Sequence, residues 1–197
     1  RVFCWRQPFR SNRWPDHLPD DASGRRPVLL VHGFVCNRGL WLPQLQRLSL
    51  QGTPYIAVTL EPPFGSIDDY IAPLEAAVAR LERCTDRAPL VVAHSMGGLA
   101  VRRWRAEPGN TTRLDHVITI GTPHRGTWLA RFGFSRNGRE MRPDSRWLRA
   151  LEALEMASGA RDFSDHTCFW GHCDNIVFPA SSAQLPGADN RHIAATA

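Results

Sequence analysis

A chain of 197 residues is the size of one domain and long enough to bury about 70% of its unfolded surface, so a substantial core is within reach. The net charge of +5 comes from 24 arginines and no lysine; they are scattered and not interleaved with stacking aromatics, which argues against a DNA- or RNA-binding module and points to a GC-rich bacterial genome. No run of about 18 apolar residues exists to form a membrane-spanning helix, so lipid contact, if any, is expected at an anionic surface.

Residues 1–27 mix aromatics, arginines and prolines. They read as an N-terminal extension, with an edge strand over 1–9 and a loop behind it. The start at Arg1 implies upstream sequence and leaves the compartment open. From Pro27 to Gly33 a buried strand ends in His32-Gly33. Leu40, Leu42, Leu45, Leu48 and Leu50 then predict a largely apolar helix. Tyr55 to Leu60 is the next strand, and the loop after it carries Phe64. Ile71, Leu74, Val78 and Leu81 recur at threes and fours, which predicts a helix capped by Ser66 or Asp68.

Leu90, Val91 and Val92 form a third strand, and Leu99, Ala100, Val101 and Trp104 take up helical spacing directly after it. Between them lies Ala93-His94-Ser95-Met96-Gly97-Gly98. A serine at a sharp strand-to-helix corner between small residues has its hydroxyl lifted clear of the sheet, the arrangement of a nucleophile elbow. Ser95 is therefore the candidate nucleophile, with Ala93 where the usual G-x-S-x-G has its first glycine. Acyl transfer also needs two fixed amide donors for the oxyanion; in an elbow these come from the residue after the nucleophile, Met96, and from the His-Gly loop, Phe34. For His32 itself the favoured reading is a strand-end histidine with a satisfied hydrogen bond.

Val117 to Ile120 predicts a fourth strand, closed by Gly121-Thr122-Pro123-His124-Arg125-Gly126. Residues 129–146 are basic and glycine-containing, as expected of a mobile flap. A helix through Trp147, Leu148, Leu151 and Leu154 and a strand over 167–170 follow. Asp174, just past that strand, stands where a triad carboxylate would orient a histidine, and Asp162 and Asp165, which precede it, rank below. Cys168 and Cys173 are near enough in sequence to bridge or to remain thiols. No cysteine or histidine spacing suggests a metal, and no cofactor is expected. Strands alternating with helices predict a mostly parallel sheet covered on both faces, with Phe34, Ser95, His124 and Asp174 at the carboxyl ends of strands, where ligands bind.

From about Val28 onward the chain resembles the α/β-hydrolase superfamily, and within it the bacterial lipases and esterases that include minimal lid-less lipases. The segments VHGFVCNRGLW, LEPPFGSIDDY, AHSMGGLAVR, GTPHRGTW and CDNIVFPA carry the resemblance. It implies one hydrolase domain over 28–197 with little or no cap, Ser95 as nucleophile, Asp174 as acid, and Phe34 and Met96 as oxyanion donors. His32, Phe64 and His124 would border the substrate, an ester that includes lipids and polyesters among its candidates. It implies no particular oligomeric state. The family's histidine follows the last strand, and a final helix packs after it. Here that strand is expected over 190–196, with His192 at its start and at the wrong end of the sheet. The histidine is therefore expected immediately after Ala197, with the last helix beyond it and His192 as the fallback. The same triad also serves thioesterases, acyltransferases and amidases, and a chain lacking the histidine would be a non-catalytic binding protein on the same scaffold.

Overall fold

The computed structural model describes residues 13–172 and 176–194. Six strands form one sheet: β1 (Val28–Val31), β2 (Tyr55–Val58), β3 (Leu90–His94), β4 (His116–Ile120), β5 (His166–Trp170) and β6 (Asp189–His192). Their order is β2-β1-β3-β4-β5-β6, and every adjacent pair is parallel. The helices between them are α1 (Leu42–Leu50), α2 (Ile71–Thr85), α3 (Met96–Arg105), a single turn α4 (Arg136–Glu140), and α5 (Arg146–Ser158). The expected α/β-hydrolase architecture is present, with helices on both faces.

Alternation within the strands divides the core. Leu29 and Val31 of β1 and Val91 and Ala93 of β3 point to one side, where they pack with Leu74, Val78 and Leu81 of α2, Leu99 and Trp104 of α3, and Leu148 of α5. Val28 and Leu30 point to the other and meet Leu42 and Leu45 of α1 together with Tyr55 and Ala57 of β2. All four residues of β1 are buried, as a central parallel strand sandwiched between helices requires.

Helix boundaries follow the local chemistry. Ser66, not Asp68, is the cap: with Asp69 it forms a capping box on the short helical turn Ile67–Tyr70 that leads into α2. Ser145 caps α5 by accepting from the Leu148 amide, and Gly159 ends it in the left-handed region.

Three expectations need correction: the loop ahead of β1, the bounds of the last strand, and the end of the sheet at which His192 sits. The loop before β1 adds an antiparallel bridge to the outer edge of β2, where His17 and Tyr55 exchange both backbone hydrogen bonds (3.0 and 2.8 Å). The edge strand expected over 1–9 lies outside the described residues. The last strand starts and stops earlier than 190–196: Asn190 closes the preceding turn by bonding Leu185 and Ala188, and the ladder runs out with Ile193 N–H donating to Trp170 O at 2.7 Å, because β5 itself ends there. His192 is consequently the last residue of β6, level with Trp170 at the carboxyl end, not the wrong end.

Candidate active site

The strand order reverses direction between β1 and β3, and a parallel sheet opens a crevice at such a point. Two loops meet there. Ser95 joins β3 to α3 with φ 52° and ψ −128°, a conformation that costs a non-glycine residue about 1–3 kcal/mol. Its amide donates to Ile120 O of β4 (2.9 Å), which ties the corner to the neighbouring strand. Met96 opens α3, so its N–H is among the orphan donors of a helix start and points out of the N-terminus.

The facing loop follows β1. A Cβ on Gly33 would lie 2.7 Å from the Ser95 Cβ and 3.1 Å from His94 O, so only glycine lets the two loops approach this closely. Gly97 is needed for the same reason on the other side of the corner, where a side chain would overlap the carbonyl of His32 and sit 2.9 Å from that of Val31. Phe34 follows Gly33, and Val35 takes a positive φ of 54°, costly for a β-branched residue. Backbone strain is thus concentrated on both sides of one crevice, with Ser95, Phe34 and Met96 around it.

Of the three side chains expected to border the substrate, one faces outward. Phe64 is 59% exposed and meets Phe34 edge-on with ring centroids 5.9 Å apart. His32 is buried with both ring nitrogens used: Nδ1 donates to Gly33 O and Nε2 accepts from the Leu60 amide, each at 2.8 Å. It laces the ends of β1 and β2 together and offers nothing to a ligand. His124 is buried too, its Nε2 against Thr119 Oγ1 (3.1 Å) and Cys168 Sγ (3.5 Å). Burial first, then the nearby Arg102, His166 and Arg125, push its pKa well below the usual value. Both rings are sealed from solvent, so neither borders a substrate as the sequence led us to expect. Cys168 is a free, buried thiol.

Burial lowers the His32 pKa from 6.5 to about 4, with His94 adding to the shift against the Gly33 hydrogen bond. Between those values the unfolded chain binds more protons than the folded one, so stability falls as pH falls. The contribution is nil above about pH 7, costs about 2 kcal/mol by pH 5 and about 3 kcal/mol by pH 4. His124 and His166, lowered likewise, add to it. Urea unfolding at pH 7.5 and pH 5 should show this loss reduced by about 2 kcal/mol in His32→Gln, which keeps an acceptor for Leu60; an unchanged pH dependence would exclude His32 as the source.

Asp174 lies outside the described residues. Asp165, one of the two lower-ranked acids, binds His166 Nδ1 (2.6 Å) and Arg105 (3.0 Å) at the amino end of β5, away from the crevice. His192 caps β6 with its ring 4.6 Å from Trp170 and 5.0 Å from His172. Three strand spacings separate β6 from β3, roughly 14 Å at about 4.8 Å each. That gap exceeds the reach of an imidazole from the strand end.

Sequence reasoning missed a buried ion pair behind the site. Arg102 of α3 grips Glu155 of α5 through two hydrogen bonds of 2.8 Å and donates a third to His124 O (2.9 Å). It joins the elbow helix, α5 and the turn after β4. Among the described residues no cluster of side chains could hold a metal, and no helix is long and apolar enough to cross a membrane.

The chain belongs to the alpha/beta hydrolase family, whose model matches residues 28–190. Its fold is that of a lipase from Bacillus licheniformis, BlEst2 in mature form: TM-score 0.73 at 19% identity, over 89% of this chain and 85% of that one. Lipase B of Aspergillus fumigatus gives 0.72 at 20% identity over 89% of this chain, which spans only 47% of that larger protein. A carboxylesterase of the thaumarchaeon Nitrososphaera gargenis gives 0.59 at 16% identity, with coverage of 90% and 84%. No curated protein sequence matches the chain significantly.

Proposed function

We propose that this hydrolase cleaves carboxylic esters through an acyl-enzyme on Ser95. The observation that carries the reading is the strained corner at Ser95, held so close to the loop after β1 that only glycine fits at position 33; in this reading the Ser95 hydroxyl is served by the amides of Phe34 and Met96. A histidine takes the hydroxyl proton as Ser95 Oγ attacks the ester carbonyl. The two amides hold the oxyanion, a contribution of about a hundredfold or more for each donor. The imidazolium then protonates the departing alcohol, and water repeats the sequence to release the acid. The carboxylate of Asp174 orients the histidine. Because His192 is packed on Trp170 three strands away, we assign the base to the chain beyond β6, as the resemblance to lid-less lipases implies. The lipases and carboxylesterase with this fold support an ester as substrate, and the modest room for a cap, only the segment between β4 and β5, supports an open site for small and medium acyl groups.

The full gene product should hydrolyse p-nitrophenyl butyrate faster than the long-chain palmitate. A fluorophosphonate should attach one phosphonyl group to the peptide containing Ser95, read by mass spectrometry. Hydrolysis without labelling of Ser95 would move the nucleophile elsewhere, and failure of both would leave a binding protein.

A further inference from the structure

We propose that the segment between β4 and α5 docks the enzyme on an anionic lipid bilayer, with its active-site crevice facing the membrane. The proposal goes beyond ester hydrolysis and does not require it. The segment expected to be a mobile flap is instead a looped module with its ends tied together, Thr127 N–H donating to Met141 O at 2.9 Å. Arg142 holds the loop from inside, donating to the carbonyls of Ala130 (3.2 Å), Arg131 (3.3 Å) and Gly133 (3.0 Å).

Its position is fixed on both sides of the crevice. Toward β2, Asn137 donates from its backbone to Gly65 O and from its side chain to Pro63 O, both at 2.9 Å, beside Phe64 and hence beside Phe34. Toward β5, Trp128 N–H donates to Phe178 O at 2.8 Å. The loop therefore runs along the carboxyl edge of the sheet, past the point where an ester would enter.

What this loop shows to solvent is unlike an ordinary surface. Trp128, Leu129, Phe132 and Phe134 are 46%, 45%, 62% and 92% exposed, and the neighbouring Phe64 and Phe178 are 59% and 60% exposed. Trp128 and Phe132 meet edge-on with ring centroids 5.2 Å apart, and large apolar side chains exposed together on one loop mark a binding surface. Its charge selects the partner. Residues 125–142 contain five arginines and a single carboxylate. That carboxylate, Glu140, turns inward to the Ser66 hydroxyl and the Ile67 amide, both at 2.7 Å, with Arg136 3.5 Å away. Among the described residues no carboxylate pairs with Arg131 or Arg139, and both side chains lie in the exposed part of the loop. Aromatic groups enter the acyl boundary of a bilayer while guanidinium groups hold lipid phosphates, and anionic headgroups add attraction for each arginine.

The test is cosedimentation with vesicles of dialkyl ether phosphatidylglycerol, which offer no ester to cleave, beside dialkyl ether phosphatidylcholine vesicles. Binding to the first, at least tenfold weaker to the second and weakened by salt, is expected. Arg131→Gln with Arg139→Gln should reduce binding to phosphatidylglycerol about thirtyfold, from about fivefold per arginine near the surface. Phe134→Ser should reduce it tenfold or more. Both variants should hydrolyse soluble p-nitrophenyl butyrate like the parent, so a failure of docking and a failure of the hydrolytic reading are told apart. Equal binding to both lipids, binding to neither, or self-association that masks Phe134 without lipid would overturn the proposal.

Discussion

Ser95→Ala should lower kcat/KM for p-nitrophenyl butyrate by roughly 10⁵–10⁶-fold, the loss typical when a triad nucleophile is removed. Alanine keeps the Cβ, so the φ of 52° remains strained and the melting temperature should stay within a few degrees of the parent. Ser95→Gly makes the sharper experiment. It removes the hydroxyl equally and should be as inactive, but glycine adopts this backbone region without the steric penalty. After its own entropic cost, the glycine variant should be more stable than the alanine variant by about 1 kcal/mol, measured by urea unfolding. A fold that is stabilised when its active residue is deleted holds that residue under strain. If Ser95→Gly were less stable than Ser95→Ala, the strain at this corner would be absent, and with it the physical basis for placing the nucleophile here.

Glu155→Ala should cost about 3–5 kcal/mol of folding stability, enough to threaten a domain of ordinary stability. The side chains of Arg102 and Glu155 are 4% and 2% exposed, so removal of the carboxylate strands a guanidinium in a dry interior. The pair as such contributes far less than that figure, because desolvating two charges offsets most of their attraction. Arg102→Met combined with Glu155→Leu should therefore recover more than half of the loss. Recovery falls short of complete because Arg102 also satisfies the carbonyl of His124. Equal destabilisation in the single and double variants would mean that the pair's attraction, not the isolated charge, dominates.

The parts of this molecule that were legible in the sequence are those written in consecutive residues. β3, the corner at Ser95 and α3 are announced by an apolar run, small residues and a change of period within fifteen positions. The α5 stripe of Leu148 and Leu151 reads equally well. Other features depend on partners far along the chain. His32 could not be separated from a substrate ligand because the amide that occupies its Nε2 belongs to Leu60, 28 residues on. Glu155 looks like a solvated charge on an amphipathic helix until Arg102, 53 residues earlier, is placed beside it. The loop after β4 looks mobile because its order comes from Arg142 reaching back to three carbonyls and from Asn137 bridging to another strand's loop. Nor does any residue pattern announce that Val35 turns left-handed. The early end of β6 follows from the length of β5, which is a property of its neighbour.

The closure of that loop at Thr127 and Met141 has a consequence for variation. With both ends anchored a hydrogen bond apart, residues can be inserted or removed at its tip for only a small loop-closure cost, leaving the register of β4 and the setting of the corner at Ser95 untouched. Under the docking proposed above, the surface that adheres could then change in sequence while the corner beneath it stays as it is, one exchanged like a sole while the shoe keeps its last.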